Sequence, residues 1–229
     1  MKAIILAAGI GRRLYPITET VPKSMIQLNG KPIIQYKIDA LKAAGIHDIV
    51  VVVGHLKEVL KASLPKDITI IYNDKFRTTN NMYSLWLARE HTKDGFMLLN
   101  ADVIHDNEII RRVVEAGYSL IAVDSSRSNI KELNVSCDQN LTINRVEFNL
   151  PQEVIYGESA QIMKLDKNDA QVFMRNVNMQ MGLGKLDTPV SVIPQELLKH
   201  MDLKAFDISQ YQWREIDDHF DLNIASMVA

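Results

Sequence analysis

The chain has 229 residues, of which 26 are Lys or Arg and 28 are Asp or Glu, giving a formal net charge of −2. That length is sufficient for one large domain with a substantial hydrophobic core. The near-neutral charge excludes a generally basic surface for nucleic acid or membranes and favours a small-molecule partner held in a locally positive site. Because Cys137 is the only cysteine and neither a signal segment nor a membrane-length apolar stretch is present, we expect a cytoplasmic protein without membrane insertion.

The first motif is a glycine-containing loop after an apolar run at residues 1–6. Residues 7–14 read AAGIGRRL, and Pro22-Lys23 follows. We predict a buried strand that ends in a phosphate-binding loop, because glycines let backbone N–H groups approach phosphate oxygens and nearby cations offset their charge. The loop has neither the third glycine of a dinucleotide fingerprint nor the Gly-Lys-Ser/Thr of a P-loop.

Apolar runs then alternate with helical spacing along the first half. Strands without a polar face are predicted at residues 4–6, 49–53, 68–72, 96–99 and 120–123. Helices are predicted at 33–43, 56–63, 82–91 and 107–114, with Gly45 ending the first. This alternation predicts an α/β fold with a doubly wound, mostly parallel, Rossmann-like sheet that binds ligands beyond the carboxyl ends of its strands.

An acidic residue follows the strand predicted at 96–99, within the sequence LLNAD. Asp102 is thereby predicted at the ligand edge of the sheet, where a divalent metal ion bound to phosphate oxygens would need a hard oxygen ligand. The alternative is that Asp102 caps the next helix. Asp106 and Asn107 fit that capping role better.

The second half has a weaker pattern. Antiparallel pieces are predicted at 132–135, 142–148 and 153–164, and helices at 166–179, at 193–201 and from about residue 218 to Met227. Neither a repeat nor a Gly/Pro/Ser-rich linker separates the halves. We therefore predict one domain over 1–229, in which 1–125 is the nucleotide-binding core and 126–229 a smaller antiparallel acceptor-side extension that is not independent.

Residues 6–23 together resemble the signature of enzymes that transfer a nucleotide from a nucleoside triphosphate to sugar 1-phosphates and phospho-alcohols. Within that family, NDKF at 73–76 and NNMYSL at 80–85 are most similar to the bacterial phosphocholine cytidylyltransferases. One position departs from the family pattern, which usually has Thr or Ser where this chain has Arg12. The additional cation either contacts the triphosphate or projects into solvent.

This resemblance implies a Mg²⁺-dependent enzyme that couples CTP to a phosphorylated small alcohol such as phosphocholine. The products are a CDP-alcohol, which is a precursor for cell-surface polysaccharide or lipid, and pyrophosphate. The resemblance assigns catalysis to Arg13 and Lys23, nucleotide binding to Leu6, Ala8, Gly9, Gly11, Asn80 and Ser84, and metal binding to Asp102 and Asp217. For the second metal ligand, Asp218 remains an alternative, either as ligand or as the N-cap of the last helix.

For the acceptor, the resemblance assigns Asn81 and Glu158, and Tyr83 and Trp213 are added as aromatic candidates for holding choline. A quaternary ammonium group needs aromatic faces as well as a carboxylate, because it cannot donate a hydrogen bond. The aromatic candidates are Tyr83, Trp86, Tyr211 and Trp213, although the spacing of Trp86 from Met82 is more typical of core packing. Asn80 and Asn81 also fit ordinary helix caps.

Two other functions compete with this interpretation. The opening motif equally fits a sugar-1-phosphate nucleotidyltransferase that uses UTP, dTTP or GTP. A nucleotide-sensing module without turnover would keep the fold, but the joint presence of Arg13, Lys23, Asp102 and Asp217 argues against it. The sequence leaves the oligomeric state open.

Overall fold

A nine-stranded sheet lies at the centre of the structure, a computed structural model that describes residues 1–225. The strands, numbered in chain order and including two short pairs outside the central sheet, are β1 Lys2–Ala7, β2 Gln27–Leu28, β3 Lys31–Pro32, β4 Ile49–Val53, β5 Thr69–Tyr72, β6 Phe96–Asn100, β7 Val103–His105, β8 Leu120–Asp124, β9 Leu133–Cys137, β10 Ile143–Phe148, β11 Gly157–Leu165, β12 Lys204–Asp207 and β13 Trp213–Glu215.

The α-helices cover both faces of this sheet. They are α1 Ile17–Thr20, α2 Ile33–Ala43, α3 Lys57–Ser63, α4 Asn81–Leu87, α5 Asn107–Glu115, α6 Lys167–Gly182, α7 Gln195–Leu198 and α8 His219–Ala225. Short 3₁₀ turns occupy Arg12–Leu14, Lys23–Met25, Arg89–His91 and Gln152–Val154. The predicted end of the last helix at Met227 lies outside the described residues. Within residues 1–225, each helix is too short or too polar to span a bilayer.

The sheet combines a parallel half with an antiparallel half. Strands β5, β4, β1 and β6 lie side by side and parallel. Strand β11 then pairs antiparallel with β6, and on its other side with β8 and β9. The predicted fold class is thus confirmed. The extent of the domain stays a prediction, although β9, β10 and β11 belong to the same sheet as β1.

Residues of the parallel strands alternate between two apolar cores. In β1, Ala3 and Ile5 face one core with α2 and α5, whereas Ile4 and Leu6 face the other with α4 and α6. Burial on both faces explains the continuous apolar runs in the sequence. The expectation was wrong for residues 68–72, because β5 is the edge strand and its Thr69 and Tyr72 are exposed.

Several element boundaries differ from the predicted ones. The helix predicted at 82–91 is α4 followed by a 3₁₀ turn, the one at 193–201 is reduced to α7, and α6 extends to Gly182. The sequence did not predict the ladder between β7 and β13, in which Val103 pairs with Glu215. That ladder brings the segment after β6 next to the end of the chain, and thereby assembles the candidate site.

Candidate functional site

The glycine loop after β1 turns sharply around Gly11. Gly11 has φ +68°, and a Cβ built there would lie 3.1 Å from the Cβ of Lys23, so a side chain would be strained and crowded. The hydroxyl of Thr18 donates to the Gly11 carbonyl at 2.8 Å, and Leu14 is fully buried. The turn is therefore anchored on both sides and packed against the stem of Lys23.

Lys23 forms ion pairs with the two aspartates assigned to the metal. Its Nζ lies 2.7 Å from Oδ2 of Asp102 and 2.8 Å from Oδ1 of Asp217. Burial alone would lower the pKa of Lys23, but the two carboxylates outweigh it and raise that pKa above its ordinary value. Burial would raise the pKa of Asp217, but Lys23 and Arg13 outweigh it and lower that pKa. The charges therefore hold Lys23 and Asp217 in their ionised forms.

Glu215 adds a third carboxylate that the sequence analysis did not assign. Ligand oxygens of Asp102, Glu215 and Asp217 all lie within 4.8 Å of one another. Burial and the negative charges of Asp102 and Asp217 raise the pKa of Glu215. In addition, Oδ1 of Asp102 is buried and has no hydrogen-bond partner among residues 1–225. Three converging hard oxygen donors, one of them unsatisfied, fit a divalent cation such as Mg²⁺.

The loop before α8 distinguishes between the two neighbouring aspartates. Oδ1 of Asp218 accepts hydrogen bonds from the backbone N–H groups of Phe220 and Asp221, so Asp218 caps α8. Asp217 instead faces Lys23 and also accepts a hydrogen bond from Nη2 of Arg13 at 2.6 Å. Arg12 is exposed on the same turn as Arg13.

A cavity of about 190 Å³ lies between the glycine loop and α4. It is lined by six residues assigned to the nucleotide or acceptor and by five others: Leu6, Ala8, Gly9, Asn80, Asn81 and Ser84, together with Asn73, Phe76, Thr79, Asn100 and Asp102. Asn80 caps α4 through a hydrogen bond from Asn81 N–H, so its oxygen is already engaged. Its amide N–H₂ group lies 3.5 Å from Asp187.

The buried Asn73 organises the floor of this cavity. Its side-chain amide donates to the hydroxyls of Ser84 at 3.0 Å and Thr79 at 3.3 Å. Because the Ser84 hydroxyl accepts from Asn73, its hydrogen is free to donate toward the cavity. Phe76 adds an aromatic wall. The cavity thus offers polar groups and a ring of the kind that a nucleobase requires.

A second cavity, of about 490 Å³, adjoins the first at Asn80, Asn81, Asn100 and Asp102. Its lining includes the carboxylates of Glu132, Glu158 and Glu215, the cation of Lys131, and the ring of Phe148. Burial raises the pKa of Glu158 to about 7, although Arg127 opposes this shift. Carboxylates outnumber cations in this lining, so the cavity favours a ligand with a positive group.

Two of the residues assigned to the acceptor, Trp213 and Tyr83, do not line either cavity. Trp213 is 2% exposed within a hydrophobic core, where its Nε1 donates to Asp124 at 2.9 Å. Tyr83 is 8% exposed and stacks on Trp86 with ring centroids 5.6 Å apart. Tyr211 packs against the same core as Trp213. The aromatic cage expected from these four residues is therefore not formed, whereas Glu158 and Asn81 do line the cavity.

The cavity residues that sequence reasoning missed include Asn73, Phe148, Gln161 and Glu215. Gln161 has φ +58° at a break in the pairing of β11 with β8, and its side chain bridges Asn100 and Glu215. Such a bulge could not be recognised from the sequence, because apolar and polar residues alternate only weakly in this segment. A signal existed for Glu215, because it lies two residues before Asp217.

The fold and this arrangement of charges define an α/β domain of the nucleotidyltransferase class. The family model described as the MobA-like NTP transferase domain matches residues 3–166, and the chain belongs to that family. Residues 3–166 contain Lys23 and Asp102, whereas Glu215 and Asp217 lie beyond the matched part.

Curated relatives confirm the resemblance to phosphocholine cytidylyltransferases. The chain is 46% identical over 99 residues to choline-phosphate cytidylyltransferase from Streptococcus pneumoniae, covering 43% of each chain. It is 39% identical over 135 residues to CTP:phosphoglutamine cytidylyltransferase from Campylobacter jejuni, covering 55% of this chain and 53% of the relative. These matches span about half the length of the curated relatives.

A solved structure extends the similarity over the whole fold. The structure of CTP:phosphocholine cytidylyltransferase from Streptococcus pneumoniae superimposes with a TM-score of 0.84 at 26% identity. The match covers 99% of this chain and 98% of that one.

The positions of Trp213 and Phe148 predict opposite effects of their substitution. Trp213→Ala removes a fully buried indole and its hydrogen bond, so we expect a loss of about 3–5 kcal/mol in the free energy of unfolding. Phe148→Ala removes a ring that is 43% exposed and lines the second cavity. We therefore expect weaker binding of the acceptor and little change in the free energy of unfolding. Urea titrations and acceptor KM values measure the two effects. A Trp213→Ala protein that stays stable but binds acceptor weakly would reinstate Trp213 as an acceptor residue.

Proposed function

We propose that this protein transfers a cytidylyl group from CTP to the phosphate of a small acceptor that carries a positive group, such as phosphocholine, with Mg²⁺ as cofactor and pyrophosphate as the second product. The observation that carries this proposal is the junction of two cavities at Asp102, one suited to a base and the other rich in carboxylates. The names of the relatives support CTP as the nucleotide. The product would then serve as a precursor for surface polysaccharide or lipid, made in the cytoplasm.

The chemistry needs no covalent intermediate on the protein. An oxygen of the acceptor phosphate attacks the α-phosphorus of CTP, the bond from that phosphorus to the bridging oxygen of the β-phosphate breaks, and pyrophosphate leaves. Lys23 pairs with Asp102, where the two cavities meet, and with Asp217 in the lining of the second cavity, and an ammonium at this position would offset repulsion between the two reacting phosphates. The protein's contribution is positioning and charge stabilisation.

Arg13 is placed to act on the departing pyrophosphate. Its side chain is 69% exposed and is held by one ion pair to Asp217. Exposed ion pairs contribute about 0–1 kcal/mol, so Arg13 can exchange Asp217 for phosphate oxygens at low cost. The backbone of the adjacent glycine turn provides N–H groups for the same oxygens.

Asp102, Glu215 and Asp217 are the residues that would hold Mg²⁺. Bound there, the ion would supply positive charge to triphosphate oxygens. The unsatisfied Oδ1 of Asp102 supports this assignment, because a buried carboxylate oxygen without a partner is unfavourable unless a ligand satisfies it.

The second cavity, which we assign to the acceptor, supports a cationic acceptor more than a neutral polyol. Glu132 and Glu158 lie on its wall, and Phe148 is the aromatic side chain in the described lining. One ring and two carboxylates suit an ammonium group that both hydrogen-bonds and contacts a ring. The amides of Gln161 and Asn100 also suit sugar hydroxyls, so a sugar 1-phosphate is the second candidate acceptor.

The first prediction concerns the charged cluster. Lys23→Ala and Asp102→Asn are each expected to remain folded and to lower kcat at least roughly a hundredfold, because both groups act on charge that develops during transfer. Pyrophosphate release measures turnover, and circular dichroism measures folding. Lys2→Ala, which removes a surface ion pair with Asp48, is the matched control and should leave kcat unchanged. Near-normal turnover of Asp102→Asn with Mg²⁺ would remove Asp102 from the metal site.

The second prediction concerns the nucleotide. We expect CTP to be preferred over UTP, dTTP, ATP and GTP, and Asn80→Ala to reduce the preference for CTP over UTP more than it weakens triphosphate binding. Competition assays with pyrophosphate release as readout measure both. Equal use of purine and pyrimidine nucleotides would contradict base recognition in this cavity. Faster turnover with glucose 1-phosphate and UTP would establish the sugar nucleotidyltransferase alternative, and no turnover with any pair would establish a sensing module.

The third prediction concerns acceptor charge and pH. Because the pKa of Glu158 is raised to about 7, its carboxylate is mostly ionised at pH 8 and mostly neutral at pH 6. The KM for a cationic acceptor should therefore rise as pH falls from 8 to 6. Glu158→Gln should reduce this change, and what remains is the titration of the acceptor and of Glu215, whose pKa burial raises to about 8. At pH 8, replacing trimethylammonium by neutral tert-butyl should weaken binding by about 0.5–2 kcal/mol. Equal binding of the two acceptors would contradict cation recognition.

A further inference from the structure

A buried lysine and histidine lie directly beneath the carboxylate cluster. Lys37, on α2, is 4% exposed, and its Nζ donates to the Val103 carbonyl at 2.9 Å. The same Nζ lies 3.1 Å from Nδ1 of His105, which is 9% exposed. Nε2 of His105 lies 2.8 Å from the Ala160 carbonyl. Because a carbonyl only accepts, Nε2 carries the ring hydrogen and donates, and Nδ1 accepts from the Lys37 ammonium.

These hydrogen bonds join three segments of the candidate site. Val103 follows Asp102 directly and pairs with Glu215 across the β7–β13 ladder. Ala160 precedes Gln161, whose side chain contacts Glu215 and Asn100. Lys37 thereby fixes the Asp102 segment to α2, and His105 fixes that segment to the β11 bulge.

The stability of the fold does not account for a lysine at this position. An ammonium group removed from water carries a large desolvation penalty, and within the described part of the chain Lys37 has two hydrogen bonds but no ion pair with a carboxylate. Burial lowers the pKa of Lys37 to about 7, although the charge of Asp102 opposes the shift. Burial and the charge of Lys37 lower the pKa of His105 well below its usual range. A methionine of similar length would fill the same volume without this penalty.

We propose that Lys37 and His105 are positioning residues, which set the relative placement of Asp102, Glu215 and Gln161 without touching either substrate. This inference rests on the proposed function, in which these carboxylates hold the cofactor. Removal of a residue that hydrogen-bonds to a metal ligand, or to the backbone beside one, commonly lowers metal affinity or activity by about 10–100-fold. We expect an effect of that size here.

The test compares Lys37→Met with Lys164→Met. Lys164 is also 4% exposed and donates to the carbonyls of Val113, Val114 and Ala116 at the end of α5, so it is a matched buried lysine with a structural role. Lys37→Met should remain folded, lower kcat at least about tenfold with less change in the KM for CTP, and weaken Mn²⁺ binding by a similar factor. Lys164→Met should lower the thermal midpoint and leave kcat and Mn²⁺ affinity near wild type.

His105 provides a second, independent pair of variants. His105→Leu breaks the connection and should lower kcat and Mn²⁺ affinity, whereas His105→Gln can still accept from Lys37 and donate to Ala160 and should restore most of both. Unchanged kcat and Mn²⁺ affinity in Lys37→Met would overturn the proposal, as would equal losses in Lys37→Met and Lys164→Met. If the wild type transfers no nucleotide to any acceptor, the proposed function is wrong. Calorimetric Mn²⁺ titrations of the variants then test by themselves whether Lys37 and His105 position the carboxylates.

Discussion

The ion pairs of Lys23 are the interaction on which the candidate site depends. They join the first loop to residues 79 and 194 positions further along the chain. Without this ammonium, the carboxyl groups of Asp102, Glu215 and Asp217, which lie within 4.8 Å of one another, would lose the cation that offsets their negative charge. Gly11 completes the arrangement, since only a residue without a side chain packs on the Lys23 stem at that distance.

The same arrangement determines what can bind. Cations and carboxylates face each other in the protein, and under the proposed function an incoming triphosphate and a divalent cation would replace these pairs. The polar environment is thus built before the substrates arrive, which is the condition under which electrostatic groups accelerate phosphoryl transfer most effectively. Lys37 and His105 extend this preorganisation beneath the surface, through the backbone of the residues next to Asp102 and Gln161.

Much of the fold could be predicted from the sequence, because strands buried on both faces have an unmistakable apolar pattern. The runs at 49–53 and 96–99 and the helical spacing at 33–43 gave the parallel half of the sheet. The positions of β7 and β13 could not be predicted, since strands of three residues have too few side chains to establish a period. Their pairing depends on tertiary contacts alone.

Site residues could be predicted where they belong to a short sequence motif. They could not be predicted where tertiary structure brings distant segments together. Arg13, Lys23, Asp102 and Asp217 were identified from short segments, and the structure brings all four together. The position of Trp213 near an acidic motif does not indicate the direction of its side chain, which points into the core toward Asp124. Phe148 and Gln161 were missed because their place at the cavity depends on how β10 and β11 join the sheet.

The antiparallel insertion of β11 has a consequence for how the chain must fold. Strand β6 can pair with β1 as soon as residue 100 is available, but its other edge stays open until residues 162–165 arrive. An open edge of a strand as apolar as β6 is a template for pairing with other chains. During synthesis, more than sixty residues must therefore emerge before that edge is covered, and this interval is the period of greatest exposure to aggregation.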